Sequence, residues 1–438
     1  MSKGAASPAE QALRHGVDTS AERLIDNPIQ RTIEYWCPED TLCAWSGYAI
    51  WRIDAAATLF KPQSLLNRNP VRLPRILDLP AITLIVPFLA CALLLSGLGS
   101  GGSALFLGLV SLTLIATVLV AVYHAEIIAH RIGEPLGTLV LALAVTVIEV
   151  SLIISMMLSG GDEARSLARD TVFATVMIIC NGVVGICLLA GGIRHRIVRF
   201  RAEGSSAALS VLAALTTLTL ILPQFTTTTP GPSYSNAQLG FASLMSLILY
   251  LVFVFVQTVR HKDHFLAHVH ESDLATDDAT AHASSPQLAT SWASFVLLLL
   301  ALVGVVGLAK QLSPAIKSGV EAMSAPLAVI GIAIALLVLM PETLAALRAA
   351  RRNQIQTSLN LALGSALATI GLTIPAVGAV AISLGMTLDL GLPAKEIVLL
   401  ALTLIVSAIT VIGGQATIMQ GTVHLVLFAV FLFLAIFP

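Results

Sequence analysis

Two short stretches, Val145-Thr146-Val147-Ile148-Glu149-Val150 and Leu339-Met340-Pro341-Glu342-Thr343, each set a single glutamate deep inside a long apolar run. Such runs recur along the chain, separated by short polar loops, and several exceed the roughly 18 residues needed to cross a bilayer. The 438 residues are 56% hydrophobic and 11% charged, with a mean hydropathy of +0.89. An ordinary soluble domain is roughly a quarter charged, so lipid rather than water is the main solvent of this chain. The pattern predicts an all-α polytopic membrane protein of about eleven transmembrane helices, the first at 77–98 and the last at 415–437.

Four regions follow. Residues 1–75, mixed in charge and rich in proline, read as a cytoplasmic N-terminal tail. Its aromatic cluster Tyr35, Trp36, Trp45, Tyr48 and Trp51 suits the headgroup level, a docking patch being the rival reading. Residues 76–259 form a first transmembrane half, an extra helix plus one repeat; 260–291 form an acidic, histidine-rich cytoplasmic linker; 292–438 form the second half. The linker carries His261, His264, His268, His270 and His282 beside Asp263, Glu271, Asp273, Asp277 and Asp278. A solvated connection is the plain reading, and a pH- or metal-sensing helix the functional one. With the span at 77–98 set aside as the extra helix, five spans on each side of the linker force the halves into opposite orientations, the inverted repeat common in transporters. Arg68, Arg72, Arg75, Arg131, Arg194, Arg196, Arg199, Arg201, Arg260, Lys262, Arg348, Arg351 and Arg352 fall on one side of that arrangement, and only Arg165, Arg169, Lys310, Lys317 and Lys395 on the other. Basic loops favour the cytoplasm, which predicts the N-terminus inside and the C-terminus outside the cell membrane. The first 30 residues lack the compact apolar stretch of a cleaved leader. A net charge of −1 gives no field for nucleic acid, and the scattered cysteines have no metal-ligand spacing. No cofactor is expected.

The chemistry rests on Glu149 and Glu342. They occupy the second helix of each repeat, about 21 to 24 Å in from the helix starts at 1.5 Å per residue. Oppositely directed helices can bring both carboxylates to mid-membrane. A charge there costs at least about 2.5–3.5 kcal/mol, so it is neutralised or faces a wet cavity. Two protons or one divalent cation neutralise the pair, and the doubly charged vacant site is the expensive state. A protonated glutamate bonding between helices is the alternative. Pro341 cannot donate to the Leu337 carbonyl, which predicts a helix break beside Glu342; Pro375 does the same to Gly371. Thr146, Asn181, Asn360, Ser365 and Thr369 offer hard oxygen ligands, although a threonine or serine in such a helix commonly bonds its own backbone. Gly182, Gly185 and Gly364 read as close-packing positions. Glu126 and Glu134 lie near the cytoplasmic mouth, where they relay protons, draw cations in, or serve as an interfacial acid and a helix cap.

The stretch from His124 through Glu126, His130, Gly133, Glu134, Pro135, Gly137 and Thr138 to Thr146-Val-Ile-Glu149 resembles the calcium/proton exchanger branch of the calcium/cation antiporter superfamily. So does Pro341-Glu342 followed by Asn360-Leu-Ala-Leu-Gly364-Ser365-Ala-Leu-Ala-Thr369 and Pro375. Bacterial ChaA-type cation/proton antiporters are the nearest branch, and the likeness covers about residues 77–438. It implies two inverted repeats, export of calcium or of sodium or potassium against protons, and Glu149 and Glu342 as the shared cation and proton site. Many relatives carry Asn where this chain has Thr146 and Leu339, a Gly-Ser pair at Val176-Met177, and Gln at Ala368. Fewer amide oxygens place sodium and potassium beside calcium as cargo. An intramembrane enzyme lacks its motifs here, with no Asp pair, no His-Glu-x-x-His and no serine elbow. A channel would line a polar pore rather than bury two acids. Oligomeric state is not legible.

Overall fold

The structure, a computed structural model, describes residues 75–76, 79–96, 104–133, 136–160, 165–261, 264–265, 287–322, 326 and 328–437. The expected tail with its aromatic cluster, Glu134, Pro135, and the linker histidines His268, His270 and His282 lie outside the described residues.

Among the described residues eleven helices follow in order: α1 Ala81–Leu95, α2 Ala104–Ile132, α3 Leu136–Gly160, α4 Leu167–His195, α5 Ala202–Phe225, α6 Asn236–Arg260, α7 Leu288–Ala322, α8 Ala328–Arg351, α9 Ile355–Leu384, α10 Ala394–Ile412 and α11 Ile418–Ile436. Ten are long and apolar enough to cross a membrane; α1 has only 15 residues. At about 1.5 Å per residue it rises roughly 22 Å, short of a hydrocarbon core of about 30 Å. The expected eleven spans therefore stand at ten plus this shorter helix, and α7 begins at Leu288, inside the stretch expected to be linker.

Sequence chemistry sets the ends. Ser235 and Gln238 cap each other's backbone at the start of α6, and Thr417 and Gln420 do so for α11, each box satisfying amides the helix leaves unpaired. Gly385 closes α9 in the left-handed conformation. The short connections between α2 and α3, α8 and α9, and α10 and α11 leave neighbours antiparallel.

Packing repeats with a five-helix offset. α7 lies along α2 and also touches α3 and α1, so the first helices of the two halves meet. The α4–α8 contact is answered by α9–α3, and the α4–α11 contact by α9–α6. A two-residue ladder, Val198↔Ala416 and Arg199↔Gln415, stitches the α4–α5 loop to the α10–α11 loop.

One expectation is corrected. α8 runs unbroken from Ala328 to Arg351 with Pro341 inside it. The ring removes one hydrogen bond, but α-helical bonding resumes on either side of it. Among the described residues the irregularities sit elsewhere, in four π turns: Ile178–Val183 in α4, Thr217–Ile221 in α5, Val256–Arg260 at the end of α6 and Thr369–Thr373 in α9, with Pro375 just beyond the last; those in α4 and α9 hold matching places in the two repeats. π turns concentrate at functional sites.

Candidate functional site

Glu149 stands near the middle of α3 and is 1% exposed. Thr373 Oγ1 donates to Glu149 Oε2 at 3.1 Å, and the Thr369 hydroxyl is within hydrogen-bonding reach of the same carboxylate. Both threonines belong to the π turn of α9, which packs directly on α3. Glu149 Oε1 is buried with no hydrogen-bond partner among the described residues.

Glu342 stands near the middle of α8 and is half-buried. Its Oε2 is likewise buried and without a partner among the described residues. α8 touches α3, α9 and the π turn of α4, so both acids sit where the glutamate helices meet the broken ones. Glu149 and Glu342 lie within range of each other's charge. Glu342 also lies within range of Glu126 on α2, and Glu126 within range of His130 and Arg348. The acids thus form a ladder from exposed Glu126 through half-buried Glu342 to buried Glu149.

Other expected site residues divide. Thr369 joins Glu149, and Ser365 is half-buried one turn before it on α9. Thr146, one turn before Glu149, donates its hydroxyl to the Ala142 carbonyl at 2.8 Å, the backbone bond weighed from sequence. Asn181 is buried in the π turn of α4, but its amide is engaged by Thr403 and His424 on α10 and α11. Asn360 stands about two and a half turns before Thr369, roughly 13 Å along the helix. There it accepts from Gln356 Nε2 at 2.9 Å and donates to the Phe265 carbonyl, tying down the first residues of the linker. Gly204 leaves room for that linker backbone, since a Cβ there would meet the His264 carbonyl oxygen at 2.5 Å.

Sequence reading overlooked Thr373 and His424. Thr373 shares a face with Thr369 at a spacing of four, a signal that was available; His424 is an ionisable side chain inside the last apolar run, the same signal that exposed the two glutamates.

Two carboxylates that each keep one unclaimed oxygen in an apolar surround, with two hydroxyls beside one of them, can take up protons or a cation. Among the described residues no three His, Cys, Asp or Glu side chains converge as a resident metal site would require. Ten membrane-length helices, interior acids on matching helices and a π-broken helix after each define a membrane carrier for cations. The chain belongs to the sodium/calcium exchanger protein family, whose profile matches residues 71–259 and 293–437. It is therefore a cation antiporter and not an enzyme. It is 47% identical over 325 residues to the putative ionic transporter y4hA of Sinorhizobium fredii, covering 74% of this chain and 87% of that one. It is 36% identical over 311 residues to the sodium-potassium/proton antiporter ChaA of Escherichia coli, covering 71% and 83%. The fold matches that of the H+/Ca2+ exchanger CAX with a TM-score of 0.60 at 15% identity, over 80% of this chain and 87% of that one.

Proposed function

We propose that the protein exchanges a cation for protons by alternating access, with Glu149 and Glu342 as one site that cation and protons occupy in turn. The observation that carries this reading is the pair of buried carboxylate oxygens, Glu149 Oε1 and Glu342 Oε2, that nothing described in the protein satisfies. A buried anion without a partner is among the most costly groups a fold can keep. When the site is vacant, a penalty of even about 3 kcal/mol makes the carrier cross between its faces over 100-fold less often. Exchange is then obligatory without a separate gate. Glu126 is the acid by which ions reach Glu342 from the cytoplasm, and the Thr369 and Thr373 hydroxyls serve the cation on the Glu149 side.

Calcium is the first passenger, since one divalent ion balances both charges and takes carboxylate and hydroxyl oxygens. Sodium or potassium is the second reading. It is supported by the relative described as a sodium-potassium/proton antiporter and by Thr146 and Leu339 standing where amides would add ligands. The protein sits in the cytoplasmic membrane with its N-terminus, the 1–75 tail and the 260–291 linker inside, and its C-terminus outside. The test is transport in proteoliposomes loaded acid-inside, with calcium, sodium or potassium chloride added singly. Dissipation of the proton gradient by calcium is expected. Dissipation by sodium or potassium alone establishes the second reading, and no response to any of the three overturns the proposal.

A further inference from the structure

A second polar cluster lies buried between α4, α10 and α11, apart from the glutamates. Asn181 Nδ2 donates to Thr403 Oγ1 at 2.9 Å, and Thr403 Oγ1 donates to Met177 Sδ at 3.5 Å. His424 Nδ1 is 3.3 Å from Asn181 Oδ1, and its Nε2 is 3.1 Å from Thr410 Oγ1. Asn181, Thr403 and His424 are each 0% exposed. The ring is also within hydrogen-bonding reach of the Cys180 carbonyl. Cys180 and Asn181 are neighbours in the π turn of α4, and both present acceptors to the histidine. The amide oxygen can only accept, so Nδ1 carries the proton and Nε2 accepts from the Thr410 hydroxyl. Each group in the chain then donates to the next, and the amide of Asn181 is fixed at both ends.

That π turn has two sides. One touches α10 and α11, where the histidine and Thr403 hold it; the other touches α8 and α9, which carry Glu342 and the threonines of Glu149. We infer that His424 is a positioning residue for exchange: by clamping the Asn181 amide it fixes the π turn of α4 against α8 and α9 and so sets the spacing of the cation site. The amide itself is an anchor and not a ligand, because its oxygen and nitrogen are both engaged away from the glutamates. A buried network of this kind specifies one arrangement only when every member is satisfied, and losing one member leaves another stranded.

The inference rests on the exchange site proposed above, and three variants separate it from simple packing. His424→Asn places an amide where Nδ1 now lies, keeping the partner of Asn181 while losing that of Thr410. His424→Gln places its amide nearer the Nε2 position and strands Asn181. Thr403→Val strands the other end of Asn181 without changing side-chain shape. A cavity of about 20 Å³ beside the ring, lined by Cys180, Ser407, Thr410 and His424 among others, gives the substituted side chains room to settle. Exchange is titrated in proteoliposomes with whichever of calcium, sodium or potassium chloride the wild type exchanges fastest. His424→Gln and Thr403→Val are expected to raise the half-saturating concentration about tenfold with the maximal rate within about twofold, and His424→Asn to stay within about twofold of wild type on both. Backbone hydrogen exchange over residues 178–183 is expected to quicken in His424→Gln and not in His424→Asn. Equal behaviour of the Asn and Gln variants, or an unshifted half-saturation in Thr403→Val, overturns the inference. Should His424→Gln fail to fold, the other two variants still decide it. Hydrogen exchange reads the anchor even if the glutamates prove not to be the exchange site, so the two failures can be told apart.

Discussion

Of the four described π turns, Ile178–Val183 in α4 and Thr369–Thr373 in α9 occupy matching places in the two repeats and point their polar groups in different directions. In α9 the hydroxyl of Thr373 turns inward to Glu149. In α4 the amide of Asn181 turns outward to Thr403 and His424. Glu149 is consequently supported by hydroxyls, whereas nothing among the described residues satisfies Oε2 of its counterpart Glu342, which instead senses Glu126 toward the mouth. An inverted repeat thus supplies the same device twice, and divergence of a few side chains makes one acid the deep end of the site and the other its approach.

The largest effect expected from breaking this comparison comes from neutralising the acids. Glu149→Gln and Glu342→Gln should each reduce proton-coupled exchange to below about a hundredth of wild type, because the vacant carrier loses the charge that forbids it from crossing empty. Size-exclusion profiles in detergent should be unchanged. Coupled exchange surviving in either variant contradicts a shared site.

A smaller effect should expose the asymmetry itself. Thr373→Val keeps the shape of the side chain but removes a donor from a buried carboxylate, which should raise the half-saturating cation concentration about tenfold. Thr146→Val, one turn from the same carboxylate, removes only a hydroxyl bonded to the Ala142 carbonyl and should leave half-saturation within about twofold. If the two variants behave alike, the π turn of α9 does not serve Glu149 in the way its geometry indicates.

What could be read from the chain alone follows from how loudly each feature is written. An ionisable side chain in an apolar run is costly, so Glu149 and Glu342 announce themselves without a structure. Helix ends were largely legible through proline, glycine and charge; the exception is α7, which runs Leu288–Ala322 and carries Lys310 and Lys317, expected in a loop, inside the helix. A π turn is one extra residue in a helical ring, and an all-apolar face carries no periodic marker that would register the slip. Pro341 drew attention as the break although α8 continues through it, whereas the breaks at Ile178–Val183 and Thr369–Thr373 had no comparable flag. Asn360 was grouped with the site because its amide offers a hard oxygen ligand inside an apolar run. Its real partner, the Phe265 carbonyl, is 95 residues away in sequence, a contact that no local pattern encodes.

The finest distinction between the two π turns is how tightly each is gripped by its neighbour. A Cβ on Gly371 would meet Tyr250 Cβ of α6 at 2.5 Å, whereas one on Gly182 would meet only the Phe428 ring of α11, at 3.4 Å. Both helix pairs are counterparts, but the α9–α6 approach is tight within the π turn itself, whereas the α4–α11 approach tightens beyond it, where a Cβ on Gly421 would meet the Leu189 amide nitrogen at 2.6 Å. Gly371→Ala must push α6 away and should destabilise by about 1–3 kcal/mol. Gly182→Ala meets ordinary contact and should be tolerated. Gly364→Ala, on the same helix as Gly371 but with nothing within 4 Å of the added carbon, should stabilise by about 0.5–1 kcal/mol through the reduced freedom of the unfolded chain. Thermal unfolding in detergent orders the three: Gly371→Ala lowest, Gly182→Ala near wild type, Gly364→Ala slightly above it. Any other order means that the close approach of α9 to α6 is not what holds the π turn of α9 against α3.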